Sequence, residues 1–292
     1  MEPMELNSTE GKSGVLYLVA TPIGNLGDIT LRALKILEEV DVVAAEDTRQ
    51  TLKLLNHFEL KKTLVSYYEH NKVEKGNYLI RQLMEGKSIA LVSDAGTPGI
   101  SDPGEDLVKL AIENGITVTM APGAVAAVMG VVLSGLPAGR FVFEGFLPMN
   151  KRARRERIES LKKETRTMIF YEAPHKLSYT LKDLFEALGN RKIALARELT
   201  KKYEEFIRCT LEEAIARYES ESPKGEFVIM LEGLEEGLLK EEKMKSWNEI
   251  SIEEHLQNYI SQGMSKKEAM KKVAEDRGLS KRDVYNSLLN ES

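Results

Sequence analysis

Residues Ser93–Gly104 read SDAGTPGISDPG and follow the apolar run Ile89-Ala90-Leu91-Val92. Three glycines (Gly96, Gly99, Gly104) and two prolines (Pro98, Pro103) fall within these twelve residues, so the backbone is both permissive and partly pre-set. A buried strand ending in such a loop is what the ligand-holding edge of an open α/β sheet requires. The loop lacks the lysine of a phosphate-binding P-loop. Asp94 would repel a phosphate, but it suits a ligand that offers amino or hydroxyl donors or a positive charge. An ordinary strand-to-helix turn is the plainer alternative.

Working outward, short apolar runs alternate with helical patterns from Gly14 to Met120, the arrangement of a parallel sheet covered by helices. Strands are expected at 15–20, 42–45, 63–67, 88–93 and 117–120. Asp47 with Gln50, Asn71 with Glu74, and Asp102 with Glu105 have capping-box spacing, and Pro103 suits the first helical position after Asp102. Those three polar residues thus have a structural role in hand. Glu46, Arg49 and His70 have none and fall near the same sheet edge; the bland alternative for Glu46 and Arg49 is a surface ion pair.

A second α/β block follows, with strands expected at 141–145, 167–171, 192–197, 205–210 and 226–231. Ala121-Pro122-Gly123 and the small residues Ala124 to Ala127 lie between the blocks, suited either to close approach of a ligand or to tight helix packing. Residues 234–250 are charged, lack an apolar stripe and read as a linker or solvated helix. Beyond them three helices are expected. The first carries Ile252, Leu256, Tyr259 and Ile260. The second is capped by Ser265 with Glu268, carries Ala269, Met270, Val273 and Ala274, and stops at Gly278. The third is capped by Ser280 and carries Val284, Tyr285 and Leu288. This module is similar to a helix-turn-helix, yet residues 246–292 carry a net charge of -1, which favours packing or orienting RNA over groove reading. The expected organisation is a disordered segment over 1–13, domains over 14–122 and 123–233, the linker, and a helical module over 251–292.

The chain of 292 residues has an ordinary 42% of hydrophobic and 30% of charged residues. Cys209 is the single cysteine, which excludes an internal disulfide, and the four histidines show no zinc spacing, so no metal is expected. Residues 1–13 lack the pattern of a signal peptide, and the apolar stretch 124–133 is too short to span a bilayer, so a cytoplasmic location and no membrane partner are expected. The net charge of -5 requires any nucleic-acid contact to be local. Residues 151–166 supply one footprint, with eight cations against three carboxylates. Arg152, Arg154, Arg155 and Arg157 are the candidates for phosphate contact. The alternative is a solvated helix with internal pairs such as Glu159 with Lys163.

Six separated motifs, VATPIGNLGDIT (19–30), AEDTR (45–49), SDAGTPGISDPG (93–104), APGAVA (121–126), FYEAPHK (170–176) and RELTKKYE (197–204), resemble the bacterial small-subunit rRNA 2′-O-ribose cytidine methyltransferases of the tetrapyrrole methylase superfamily. The match covers about Gly14 to Gly233. The resemblance implies two α/β domains of the tetrapyrrole methylase type with a small C-terminal helical module, and S-adenosylmethionine in the cleft between the domains. It also implies a homodimer and methylation of a cytidine ribose near the decoding centre, on small-subunit rRNA or the 30S particle. Carried over by position, Pro22, Asp94, Ala95, Gly96, Gly99, Ile100, Gly123, Ala126 and Ala127 match cofactor-pocket elements, and Tyr171 and Leu199 match from the second domain. Thr21-Pro22-Ile23-Gly24 departs from the more glycine-rich first loop of the tetrapyrrole-modifying members, which argues against a porphyrinoid substrate.

Glu46, Arg49 and Lys201 fall in these motifs without a capping role, and are expected to act in the transfer step or to place the acceptor nucleotide. Glu46, His70, Glu198 or a desolvated Lys201 can serve as general base, and Arg49 or Arg197 can hold the adjacent phosphate. Two competing functions are a small-molecule methylase on the same scaffold and a noncatalytic ribosome-assembly factor.

Overall fold

The computed structural model describes residues 13–238, Met244, Trp247 and 250–290. The first sheet contains β1 (Val15–Val19), β2 (Val42–Ala45), β3 (Thr63–Ser66), β4 (Ile89–Val92) and β5 (Thr117–Ala121), all parallel, in the order β3-β2-β4-β1-β5. Parallel neighbours need crossovers, and α1 (Leu31–Glu39), α2 (Thr48–His57), α3 (Lys72–Met84) and α4 (Gly104–Glu113) supply them. Strand alternation decides which helix covers which face. Leu16, Leu18, Val42, Ala44, Ile89 and Leu91 pack against Leu79, Leu83 and Leu107 of α3 and α4. The intervening Val19, Val43, Ala45, Ala90 and Val92 pack against Ala33, Leu37 and Leu55 of α1 and α2.

This strand order makes β1 and β4 neighbours, so the loops after them lie side by side at the carboxyl edge. Thr21 and Gly96 clip these loops together, each N–H donating to the other's carbonyl at 2.9 and 3.1 Å.

The second sheet is covered on one face by α5 (Ala126–Ser134), whose Ala127 and Val131 pack on Ile169, Val228 and Met230. Its strands are β6 (Phe141–Phe146), β7 (Thr167–Glu172), β8 (Lys192–Arg197), β9 (Glu205–Thr210) and β10 (Phe227–Leu231), in the order β6-β7-β10-β8-β9. Only β6 and β7 run parallel; β10 enters antiparallel between β7 and β8. The remaining helices here are α6 (Lys151–Ser160), α7 (Pro174–Leu188) and α8 (Leu211–Ser220).

The three helix starts expected from capping-box spacing differ in detail. Asp47 caps α2, but its own N–H donates to Asp94 rather than to Gln50. Pro103 is the N-cap of α4 rather than its first helical residue, because the Asp102 carboxylate turns back to accept from Gly99 N–H and Gly104 N–H at 2.9 and 2.8 Å. Asn71 holds the N-cap position of α3 without a capping bond, since its side chain accepts from Tyr68 N–H and donates to the Ser66 carbonyl.

The two sheets and their helices form one compact unit that runs to Glu159 and resumes over Thr167–Glu232. A second unit comprises Ser160–Arg166 and the chain from Gly233 onward. Within it α9 (Ile252–Ser261), α10 (Lys266–Arg277) and α11 (Lys281–Asn290) bury Leu256, Ala269, Val273, Ala274 and Val284. Ser265 and Glu268 form the expected capping box, and Gly278 ends α10 at φ 63°. Tyr285, expected on the apolar face of α11, is exposed instead. The segment 1–13, apart from Ser13, and most of the linker expected over 234–250 lie outside the described residues.

Candidate functional site

The β4 loop, the start of α5, the ends of β6 and β7 and the loop after β8 enclose a cavity of about 600 Å³. Asp94, Ala95, Gly96, Ile100, Ala126, Tyr171 and Leu199, all expected at the cofactor, line it together with Glu46 and Lys201. The loop geometry that builds this wall needs glycine: Gly96 has φ +84°, and a Cβ there would lie 3.1 Å from Ile23 Cγ2.

Pro22 lines a smaller neighbouring cavity instead. Gly99, Gly123 and Ala127 do not line the large cavity; each supports its wall. Gly99 donates its N–H to Asp102, and Gly123 lies so close to β1 that a Cβ would stand 2.7 Å from the Ala20 Cβ. Ala127 N–H donates to the Tyr171 hydroxyl at 3.1 Å, tying an otherwise orphaned donor of the α5 start to β7. Burial holds the Tyr171 phenol above its ordinary value, so its own proton stays available for donation.

Five carboxylates, Glu46, Asp94, Asp102, Glu172 and Glu226, share the cavity wall, the first three of them clustered around the β4 loop. Desolvation, followed by the negative charges of Asp94, Asp102 and Asp47, raises the pKa of Glu46 above the ordinary 4.5. Such a wall favours a cationic guest and leaves Glu46 closer to proton-transfer range than a free carboxylate.

Lys201 faces the cavity from the loop after β8, where Glu198 and Thr200 both hold positive φ. Burial pulls the Lys201 pKa down, but hydrogen bonds to Glu198 at 2.9 Å and Glu226 at 3.0 Å outweigh it and hold the ammonium above its usual range. The reading of Lys201 as a desolvated base therefore fails, because two carboxylates keep it protonated. Glu198 is held below its ordinary pKa: desolvation works against this, but the Glu226 N–H and Lys201 outweigh it, which makes it a poor base. His70 is exposed and lines neither cavity.

Arg49 also stands outside the cavity. Its partner is Asp47, not Glu46: the Asp47 carboxylate caps α2 by accepting from Arg49 N–H and takes the guanidinium at 2.8 to 3.0 Å. These bonds hold the Asp47 carboxyl at about 2. Arg197 is engaged with the Lys224 carbonyl and Glu205. Ser101, Phe146, Glu172 and His175 also line the cavity and were not singled out in the sequence. Glu172 and His175 lie inside the FYEAPHK motif, the signal that could have found them; Phe146, at the end of β6, lies in none of the motifs.

The basic run forms α6, and its arginines meet carboxylates. Arg154 is largely buried and binds Asp183 of α7 at 2.7 Å. Arg155 binds Asp183 at 3.4 Å and Glu186 at 2.8 Å, Arg157 binds Glu144 at 2.7 Å, and Arg152 binds Glu156 at 2.8 Å while staying mostly exposed.

Residues 15–215 match the family model for Tetrapyrrole (Corrin/Porphyrin) Methylases. Among curated proteins, the chain is 54% identical over 273 residues to the Ribosomal RNA small subunit methyltransferase I of Halalkalibacterium halodurans, covering 94% of each chain. It is 49% identical over 282 residues to the protein of the same name from Bacillus subtilis, covering 96% of each. Among solved structures, it shares the fold of the uroporphyrin-III C-methyl transferase from Thermus thermophilus, complexed there with S-adenyl homocysteine. That likeness has a TM-score of 0.53 at 21% identity and covers 74% of this chain and 97% of that one. The chain therefore belongs to the tetrapyrrole methylase family and, within it, groups with the proteins called ribosomal RNA small subunit methyltransferase I.

Proposed function

We propose that this protein transfers a methyl group from S-adenosylmethionine to the ribose 2′-hydroxyl of a cytidine in the decoding region of small-subunit rRNA. The observation that carries this reading is the carboxylate-walled cavity at the sheet edge, in a chain so similar over nearly its whole length to rRNA methyltransferases. A volume of about 600 Å³ is ample for a ligand of this size. Ile100, Ala126, Leu199 and Val228 give an apolar wall for a purine, while Asp94 and Asp102 suit a sulfonium and an amino group. When bound, S-adenosylmethionine supplies an electrophilic methyl group on a positively charged sulfur.

A ribose hydroxyl is a weak nucleophile, so alignment and proton removal are the protein's tasks. Glu46 takes the hydroxyl proton, its raised pKa fitting it better than Glu198 or the protonated Lys201. Lys201 steadies the negative charge that develops on the acceptor oxygen. Arg49, exposed beside the cavity loops, meets the backbone of the acceptor strand.

Arg152, Arg155 and Arg157 offer their outer edges to rRNA phosphates, whereas Arg154 is committed to holding α6 on α7. The substrate is small-subunit RNA within a 30S particle, and the enzyme works in the cytoplasm as a homodimer. Exposed Val128, Val132 and Leu133 on α5 give a second copy an apolar face. Transfer of labelled methyl groups from S-adenosylmethionine to undermethylated 30S particles tests the reading. Incorporation into the small-subunit RNA is expected, and incorporation into a porphyrinoid instead would refute it.

A further inference from the structure

A second cavity, of about 220 Å³, adjoins the large one. Ser93 and Asp94 line both. The two also meet at Gly24, where a Cβ would stand 2.3 Å from Lys201 Cγ, so only glycine lets the first loop lie against the lysine of the large cavity. The small cavity has no room for a cofactor, but its walls suit a planar base. Pro22, Leu26 and Leu54 are apolar, and Gln50 and Lys53 of α2 form a polar edge.

Gln50 has the spacing of a capping-box partner for Asp47, yet it does not cap. Asp47 N–H donates instead to Asp94 Oδ1 at 3.0 Å. The Gln50 amide is thus released from structural duty and accepts at Oε1 from Lys53 Nζ at 3.2 Å. That bond matters because a free glutamine amide can turn over and match either pyrimidine. With Oε1 held toward Lys53, one lone pair of that oxygen and the Nε2 hydrogens are left for a guest. An acceptor beside a donor matches the N4 amino group and N3 of cytosine, and mismatches the O4 and N3–H of uracil.

We propose that the small cavity seats the base of the acceptor nucleotide, that Gln50 reads its Watson–Crick edge, and that Lys53 is a positioning residue fixing the sense of the Gln50 amide. Its ribose would then lie toward Asp94, on the side of the large cavity. This rests on the proposed ribose methylation of a cytidine and adds the residues that choose the base.

The test uses the full-length protein and 30S particles in which the methylated nucleotide, located by mass spectrometry of RNA fragments, is left as cytidine or replaced by uridine. Single-turnover rates should favour cytidine about ten- to a hundredfold, the range for one well-placed bidentate contact. Gln50→Ala, Gln50→Glu and Lys53→Met should each bring that preference to within about threefold of unity, while calorimetry finds S-adenosylmethionine affinity unchanged. Lys53→Arg should keep most of the preference. A Gln50→Ala protein that binds the cofactor normally and still prefers cytidine overturns the proposal. So does loss of cofactor affinity in both Gln50 variants, which would assign the cavity to the cofactor. Methylation of something other than a cytidine ribose by the wild-type protein would instead sink the underlying reading.

Discussion

Tyr171 joins the two halves of the large cavity through one bond, its hydroxyl accepting from the Ala127 N–H at the start of α5. Tyr171→Phe leaves that buried donor without a partner and should cost about 1–3 kcal/mol of stability in denaturant unfolding. It should also weaken S-adenosylmethionine binding, because Ala126 beside it lines the cavity. Glu46 carries a different prediction. A base must be deprotonated, and burial with Asp94, Asp102 and Asp47 nearby raises the Glu46 pKa above 4.5. The single-turnover rate should therefore climb with pH through that raised value and fall on acidification. Glu46→Gln should lower the rate by about 10²- to 10⁴-fold and remove this limb of the profile, with cofactor affinity kept. A wild-type profile flat in acid would remove Glu46 from the role. The β4 loop was legible in the sequence because its glycines, prolines and Asp94 are contiguous. Phe146 was not, because it meets the site only when β6 folds beside the loop. The charge state of Lys201 was also hidden, since Glu226 joins it from 25 residues away.

The strands were all readable from their apolar runs, as were the caps at Asp47 and Ser265, which depend on neighbours within one turn. The direction of β10 was not, since only the finished order shows it inserting antiparallel between β7 and β8. Helix α6 shows the same limit for charge. Its sequence reads as a cationic run with only local carboxylate partners, yet Glu144, Asp183 and Glu186, which lie 13 to 31 residues from their arginines, are brought to it by the fold. Asp183→Ala should strand largely buried Arg154 and lower stability by about 3 kcal/mol in denaturant unfolding. Asp183→Asn should cost less, because it keeps an acceptor. In the helical unit, buried His255 accepts at Nδ1 from Arg277, and Trp247 stacks on its ring at 3.8 Å. Asp276 lies 3.5 Å from the other ring nitrogen, and Tyr259 packs beside it. Desolvation and the Arg277 charge lower the His255 pKa below the ordinary 6.5 and outweigh Asp276. The neutral ring therefore favours the folded unit above that value, and the stabilisation declines as pH falls below it. Trp247 is the single tryptophan of the chain, so its fluorescence reports this stack directly. Its emission should change as pH drops below about 6.5 and stay constant in His255→Gln.

At the scale of the molecule, two sheets were foreseen and two sheets form, and the order of β1 and β4 sets the loops that build the cavity side by side. The family assignment rests on motifs that converge on this cavity from both sheets, which is why it could be read before the geometry was known. The acceptor side was less visible, because the small cavity draws on residues that look like a cap and a surface lysine until the Asp47 N–H is seen bound to Asp94. The central claim is the transfer of a methyl group to a cytidine ribose in small-subunit rRNA. Its most direct test is to incubate the protein with isotope-labelled S-adenosylmethionine and undermethylated 30S particles, digest the small-subunit RNA, and identify the labelled nucleoside by mass spectrometry. The account predicts label in 2′-O-methylcytidine from one site in the decoding region. Label on a base, label in another nucleoside, or none at all from a protein that binds the cofactor would contradict it.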